Sequence, residues 1–182
     1  MDTMSAPYAM KSGTGGPHAR QAAFTAKLEQ HRGIVLKIAY SYCRDTDDQR
    51  DLVQDISLQL WRAFPEFDPE RSRFSTWMYR ISLNVAISQL RSSSRRRRHH
   101  LDVDDHAIAA VPDQAAASPE DTLALHTLQA LIRRLDPLNR ALMLLYLDDR
   151  SHGDIAEILG ITPGNVATKI GRLKQRIREQ IA

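Results

Sequence analysis

Apolar residues recur every three or four positions along most of this chain, and no segment sustains a period of two. From Phe24 the repeat Leu28, Val35, Ile38, Ala39 and Tyr42 predicts a first helix. Residues 44–48, Arg-Asp-Thr-Asp-Asp, interrupt it and supply capping side chains for the next. A second helix from about Asp48 to Phe64 carries Leu52, Val53, Ile56, Leu60 and Phe64 on one stripe. Pro65 ends it, lacking the amide a helix needs. After a loop over 66–73, a third helix runs from Phe74 past Leu90, with Phe74, Met78, Ile81 and Val85 facing inward, and closes on Arg91 and Arg95 to Arg98.

The second half repeats the pattern. Ser118-Pro119 and Asp136-Pro137 each place a capping side chain before a proline, the signature of a helix start. Leu123, Leu128, Leu131, Ile132 and Leu135 fill one helix, and Leu138, Leu142, Leu145 and Tyr146 the next. Between the halves, residues 99–118 are acidic, Ala-rich and interrupted by Pro112, which reads as a flexible linker. The expectation is an all-α protein: a disordered tail (1–23), a three-helix domain (24–98), the linker (99–118) and a second helical domain (119–182).

Composition narrows the class. With 42% hydrophobic residues in 182, there is apolar material for two small cores. The longest apolar run, Ala141 to Leu147, is far short of the ~18 residues a membrane span needs. The first residues lack the apolar stretch of a secretory signal, so a cytoplasmic location is expected. Cys43 is the single cysteine, which excludes a disulfide scaffold or zinc ribbon. Charge is segregated. Residues 24–98 carry fourteen basic and nine acidic groups, residues 99–122 six acidic groups and no Lys or Arg, and residues 123–182 nine basic and six acidic groups. Two basic blocks flanking an acidic one fit two polyanion-binding modules with a linker that avoids the polyanion.

Residues 151–178 carry the sharpest signal. Ser151 and Asp154 have capping-box spacing, Gly160 suits a left-handed turn, and Thr162-Pro163 starts a second helix. In that helix Val166, Ile170, Leu173 and Ile177 fall on one arc at about 100° per residue. Asn165, Thr168, Lys169, Arg172 and Arg176 lie opposite. Two short helices, a glycine turn and a donor-rich outer face form a helix-turn-helix able to reach base edges and phosphates in a major groove.

The N-terminal half differs. Asp51, Gln54 and Asp55 make an acidic, amide-bearing strip, and like charges four apart are offset by a basic partner. The segment from Phe67 to Arg80 crowds aromatics, hydroxyls and arginines. Such a mixture binds single-stranded nucleic acid by stacking and backbone contacts. Trp77, Tyr79, Arg80 and Asn84 have the chemistry to hold a flipped base, whereas Phe74 belongs to the inner stripe. The Arg95–Arg98 run suits phosphates. His99, His100, Asp102, Asp104 and His106 lack a metal site's fixed spacing, and no metal, cofactor or catalytic residue is expected.

Asp51-Leu52-Val53-Gln54-Asp55, Phe67-Asp68-Pro69, Phe74-Ser75-Thr76-Trp77 and Arg80-Ile81-Ser82-Leu83-Asn84 resemble the promoter-melting domain of bacterial RNA polymerase sigma factors. Leu135-Asp136-Pro137, Ser151 through Leu159, Gly160-Ile161 and Gly164-Asn165-Val166 resemble their C-terminal helix-turn-helix. Size and domain content are similar to the small extracytoplasmic-function (ECF) group. The resemblance implies that Asp51, Gln54 and Asp55 dock on the clamp helices of the polymerase largest subunit, with the flap as a further contact. It implies that Arg73, Ser75, Thr76, Trp77, Tyr79, Arg80 and Asn84 serve the minus-ten strand. Asn165, Thr168, Lys169, Arg172 and Arg176 would then read the minus-thirty-five duplex. It further implies a linker running toward the RNA exit path and a partner anti-sigma factor. A helix-turn-helix regulator working without polymerase is the rival reading, and it predicts no preference for single strands. An enzyme would need a catalytic constellation that the sequence does not offer.

Overall fold

The computed structural model describes residues 16–97 and 119–181, with side chains over 16–92 and 127–179. Among them there are eight α-helices and no strand: α1 (Pro17–Gln30), α2 (Arg32–Tyr42), α3 (Thr46–Ala63), α4 (Phe74–Arg97), α5 (Pro119–Arg134), α6 (Pro137–Leu147), α7 (His152–Leu159) and α8 (Pro163–Ile181). The tail up to residue 15, the linker with its histidines and Arg98 lie outside the described residues, as do the side chains of Arg95 to Arg97.

The expected first helix is two. The stripe Phe24, Leu28, Val35, Ile38 and Tyr42 has a polar residue, His31, in the seam where the helical spacing calls for an apolar one, and the chain bends there (φ −116°, ψ 14°). The His31 ring settles 5.5 Å from that of Phe74. Helix also begins earlier than expected, at Pro17, because Phe24 anchors α1 against Trp61 and Phe64 (ring centroids 5.2 and 5.3 Å away).

The capping signals act as their chemistry requires. The Asp45 carboxylate accepts from the amides of Asp47 and Asp48 and opens α3. Asp136 accepts from the Asn139 amide at the start of α6. Ser151 Oγ accepts from the Asp154 amide at 3.0 Å and donates to its carboxylate at 2.8 Å, opening α7. Gly160 takes the left-handed conformation (φ 66°) that ends it.

The two expected small cores are one continuous cluster. Helices α2, α3 and α4 pack together, and α5, α6 and α7 lie against α2 and α4. Because α4 is enclosed from both sides, its expected inner stripe is corrected. Phe74 and Met78 are buried, but Ile81 and Val85 are only partly so, and Trp77, Tyr79, Ser82, Leu83 and Ala86 are buried too.

Candidate nucleic-acid interface

In the C-terminal half the helix-turn-helix is formed. Val166, Ile170 and Leu173 bury against α6 and α7, which turns the opposite arc of α8 outward. Asn165, Thr168, Arg172 and Arg176 are exposed, and Lys169 is half-buried. Thr162 Oγ1 accepts from the Asn165 amide, fixing the first turn of α8. The Thr168 hydroxyl donates to the Gly164 carbonyl at 2.9 Å, which leaves its oxygen lone pairs outward as acceptors. The face offers amide, hydroxyl, ammonium and guanidinium groups in one row.

In the N-terminal half, burial of Leu52, Ile56 and Leu60 presents Asp51, Gln54 and Asp55 to solvent. Leu58, 47% exposed, continues that strip by one turn.

The residues expected to meet the opened strand are divided by the fold. Arg73, immediately before α4, and Arg80 and Asn84 on it are exposed. Thr76, Trp77 and Tyr79 are buried, and Ser75 is half-buried. Trp77 belongs to an aromatic cluster with Phe64, Phe67 and Phe74, at centroid distances of 6.5, 5.2 and 5.2 Å. Lys27 stands 5.3 Å from the centroid of Phe74. Tyr79 is enclosed by the other half of the chain. Its hydroxyl donates to Asp148, and the Arg150 guanidinium lies 5.0 Å from its ring centroid. Burial first, and the bond to Asp148 second, push the Tyr79 phenol well above its ordinary pKa, so it remains a donor at any physiological pH. His31 is held below its usual value by burial and by the positive charges of Lys27 and Arg150.

Sequence reasoning missed the residues that join the halves. Lys37 pairs with Asp148, Arg150 donates to Ser75 Oγ at 3.3 Å, and Arg140 donates to the Ser41 carbonyl at 3.0 Å. A local signal exists at the turn Asp148-Asp149-Arg150. Asp149 has φ 52°, a conformation Asp tolerates better than most residues, and its neighbours reach the same tyrosine. Nothing in the spacing announces partners 69 or more residues away.

Known proteins give the same division. Residues 28–96 match sigma-70 region 2, and residues 125–177 match sigma-70 region 4. The chain is 26% identical over 168 residues to the ECF RNA polymerase sigma factor SigE of Mycolicibacterium smegmatis, covering 92% of this chain but 65% of that one. It is 27% identical over 174 residues to the ECF RNA polymerase sigma factor SigW of Bacillus subtilis, covering 88% of this chain and 90% of that one. The solved structure of the sigma factor RpoE from Bartonella quintana, in complex with the anti-sigma factor NepR, has a similar fold (TM-score 0.71, 22% identity, 87% of this chain and 96% of that one). With two sigma regions matched in order over about two thirds of its length, on an all-helical frame, the chain belongs to the sigma-70 family of RNA polymerase sigma factors and is of the ECF type.

Proposed function

We propose that this sigma factor divides its work among three surfaces. The strip Asp51, Gln54, Asp55 and Leu58 on α3 docks on the clamp helices of the polymerase largest subunit. Arg73 just before α4 and Arg80 and Asn84 on it, with Ser75, Thr76, Trp77 and Tyr79 of the same helix, serve the opened minus-ten strand. The α8 face of Asn165, Thr168, Lys169, Arg172 and Arg176 lies in the major groove of the minus-thirty-five element, and the C-terminal half also meets the polymerase flap. The observation that carries this reading is the pair of outward faces, acidic on α3 and donor-rich on α8, each fixed by a buried stripe on the same helix. A regulator acting on duplex DNA alone has no use for the first.

No helix among the described residues is long and apolar enough to cross a membrane. Work on polymerase is work in the cytoplasm, and that supports a cytoplasmic location. An anti-sigma factor, as the Bartonella relative binds, is a further partner. The chain's own residues supply no chemical step. Strand opening costs a few kcal/mol per unstacked base step, met by trapping exposed bases and by polymerase contacts.

Co-purification with core polymerase tests the docking surface. Asp51→Arg combined with Gln54→Ala should abolish co-elution while helical content and duplex binding persist. Undiminished co-elution removes the docking assignment.

A further inference from the structure

Val166, Ile170 and Leu173 hold α8 in its half of the chain by apolar burial, which has no direction of its own. Packing of this kind sets the angle of a helix loosely, with a spread of about 15–20° around the preferred crossings. One contact of α8 does have direction. The Lys174 ammonium donates to the Tyr146 hydroxyl on α6 at 3.1 Å and stands 5.2 Å from the centroid of the same ring. Among the described residues it is the one side-chain hydrogen bond from α8 to another helix. We propose that Lys174 and Tyr146 are positioning residues, which fix the orientation of α8 so that Asn165 and its neighbours meet base edges in register. The proposal rests on the reading of α8 as the helix that lies in the major groove.

Two features separate this lysine from the cations beside it. At 3.6 residues per turn, Lys174 lies roughly 80° to one side of Val166, whereas Asn165, Thr168, Lys169, Arg172 and Arg176 lie roughly 60–160° to the other side. Its ammonium is turned to α6 and away from that row. It is also half-buried, where Arg172 and Arg176 are exposed. A lysine at the edge of a packed helix ordinarily carries its charge out to water. Here the charge is held on a phenol oxygen, beside the face of the same ring. The distance along the helix decides what this tie controls. Asn165 is nine residues from Lys174, roughly 13 Å at a rise of about 1.5 Å per residue. A tilt of about 5° pivoting at Lys174 displaces Asn165 by roughly 1 Å, enough to spoil a base-edge hydrogen bond whose whole range is about 2.7–3.2 Å. Arg172 and Arg176 are nearer the pivot and have long side chains, so phosphate contacts made by them survive the same tilt. The tie therefore governs discrimination between sequences and not overall affinity.

The holoenzyme formed with the full chain is titrated, at several salt concentrations, with fluorescein-labelled duplexes carrying the sequence selected from a random minus-thirty-five library, a single mismatch of it, or random sequence. Tyr146→Phe removes the acceptor and keeps the ring. It should lower the preference for the matched over the mismatched duplex by about tenfold. Affinity for random duplex should stay within about twofold of the parent, with an unchanged slope of log affinity against log salt. Lys174→Met should do the same, and the double variant no more than either single change. Lys174→Arg still donates to the hydroxyl and should keep most of the preference. If Lys174→Met instead weakens every duplex alike and lowers the salt slope by about 0.9, Lys174 is a phosphate ligand and the positioning role is overturned. An unchanged preference in Tyr146→Phe overturns it too, as does a loss that Lys174→Arg shares in full. A parent with no minus-thirty-five preference, whose duplex binding also survives Arg172→Ala combined with Arg176→Ala, removes α8 from the groove, and the positioning role falls with that reading.

Discussion

Tyr42 and Arg140 hold each other's helices in both directions. The Tyr42 hydroxyl reaches from the end of α2 to the Pro137 carbonyl at the start of α6, and the Arg140 guanidinium reaches from α6 to lie 5.0 Å from the Tyr42 ring centroid. The same guanidinium donates to the carbonyls of Ser41, Arg133 and Leu135, which lie at the ends of α2 and α5 where no helical partner is available. A cation at those termini also meets two favourable helix dipoles.

Arg140 is 8% exposed, and its removal takes the donor from three part-buried carbonyls. Arg140→Ala should destabilise the chain by roughly 2–4 kcal/mol, read from the urea midpoint. Arg140→Lys should recover only part of that loss, because an ammonium cannot fork across carbonyls in the fixed plane of a guanidinium. Equal stability of the two variants would mean that side-chain packing, and not the hydrogen bonds, is what the residue supplies.

Ser82 makes the opposite case. Its hydroxyl is fully buried in α4 and has no hydrogen-bond partner. An unmade bond in the interior carries the whole desolvation cost, and alanine is the better helix former. Ser82→Ala should therefore raise stability by about 1 kcal/mol, visible as a higher thermal midpoint. A loss would show that the hydroxyl bonds to a water in the folded protein.

The contrast between α8 and α4 shows what the sequence could tell. The stripe Val166, Ile170 and Leu173, the Ser151 cap and the Gly160 turn were all legible, because each depends on residues within a few positions of one another. On α4 the local pattern predicted one buried stripe, and the structure buries nearly the full circumference of its first turns. At Tyr79 and Ser75 the difference is made by Asp148 and Arg150, about 70 residues later in the chain, and at Trp77 by the rings of Phe64 and Phe67. Their side chains are polar, and no hydrophobic period marks them as packing partners. The bend at His31 was partly legible. A single polar residue on an otherwise apolar stripe marks a weak point, but it does not say whether the helix will continue through it.

Gly171 sits exposed within α8, and a Cβ added there meets nothing within 4 Å. Its cost is conformational only. Gly171→Ala should stabilise the chain by up to about 1 kcal/mol, a rise of roughly 2–4 °C in thermal midpoint for a chain of this size. A fall would mean that the α8 backbone departs from the helix in solution.

The α8 face makes two separable predictions. Residues near the N-terminus of a recognition helix meet base edges, and those farther along meet phosphates. Asn165→Ala should therefore redistribute preference among minus-thirty-five sequences, by about 1–3 kcal/mol at one position. Arg172→Ala and Arg176→Ala should weaken binding to all sequences alike, each lowering the slope of log affinity against log salt by about 0.9. Lys169, half-buried beside them, should behave as the arginines do if its ammonium reaches a phosphate. Fluorescence anisotropy of duplex libraries at three salt concentrations, with the holoenzyme, separates the two effects. If Arg172→Ala and Arg176→Ala leave both affinity and salt slope unchanged, α8 does not enter the groove with this face, and its basic row is only a solvated surface.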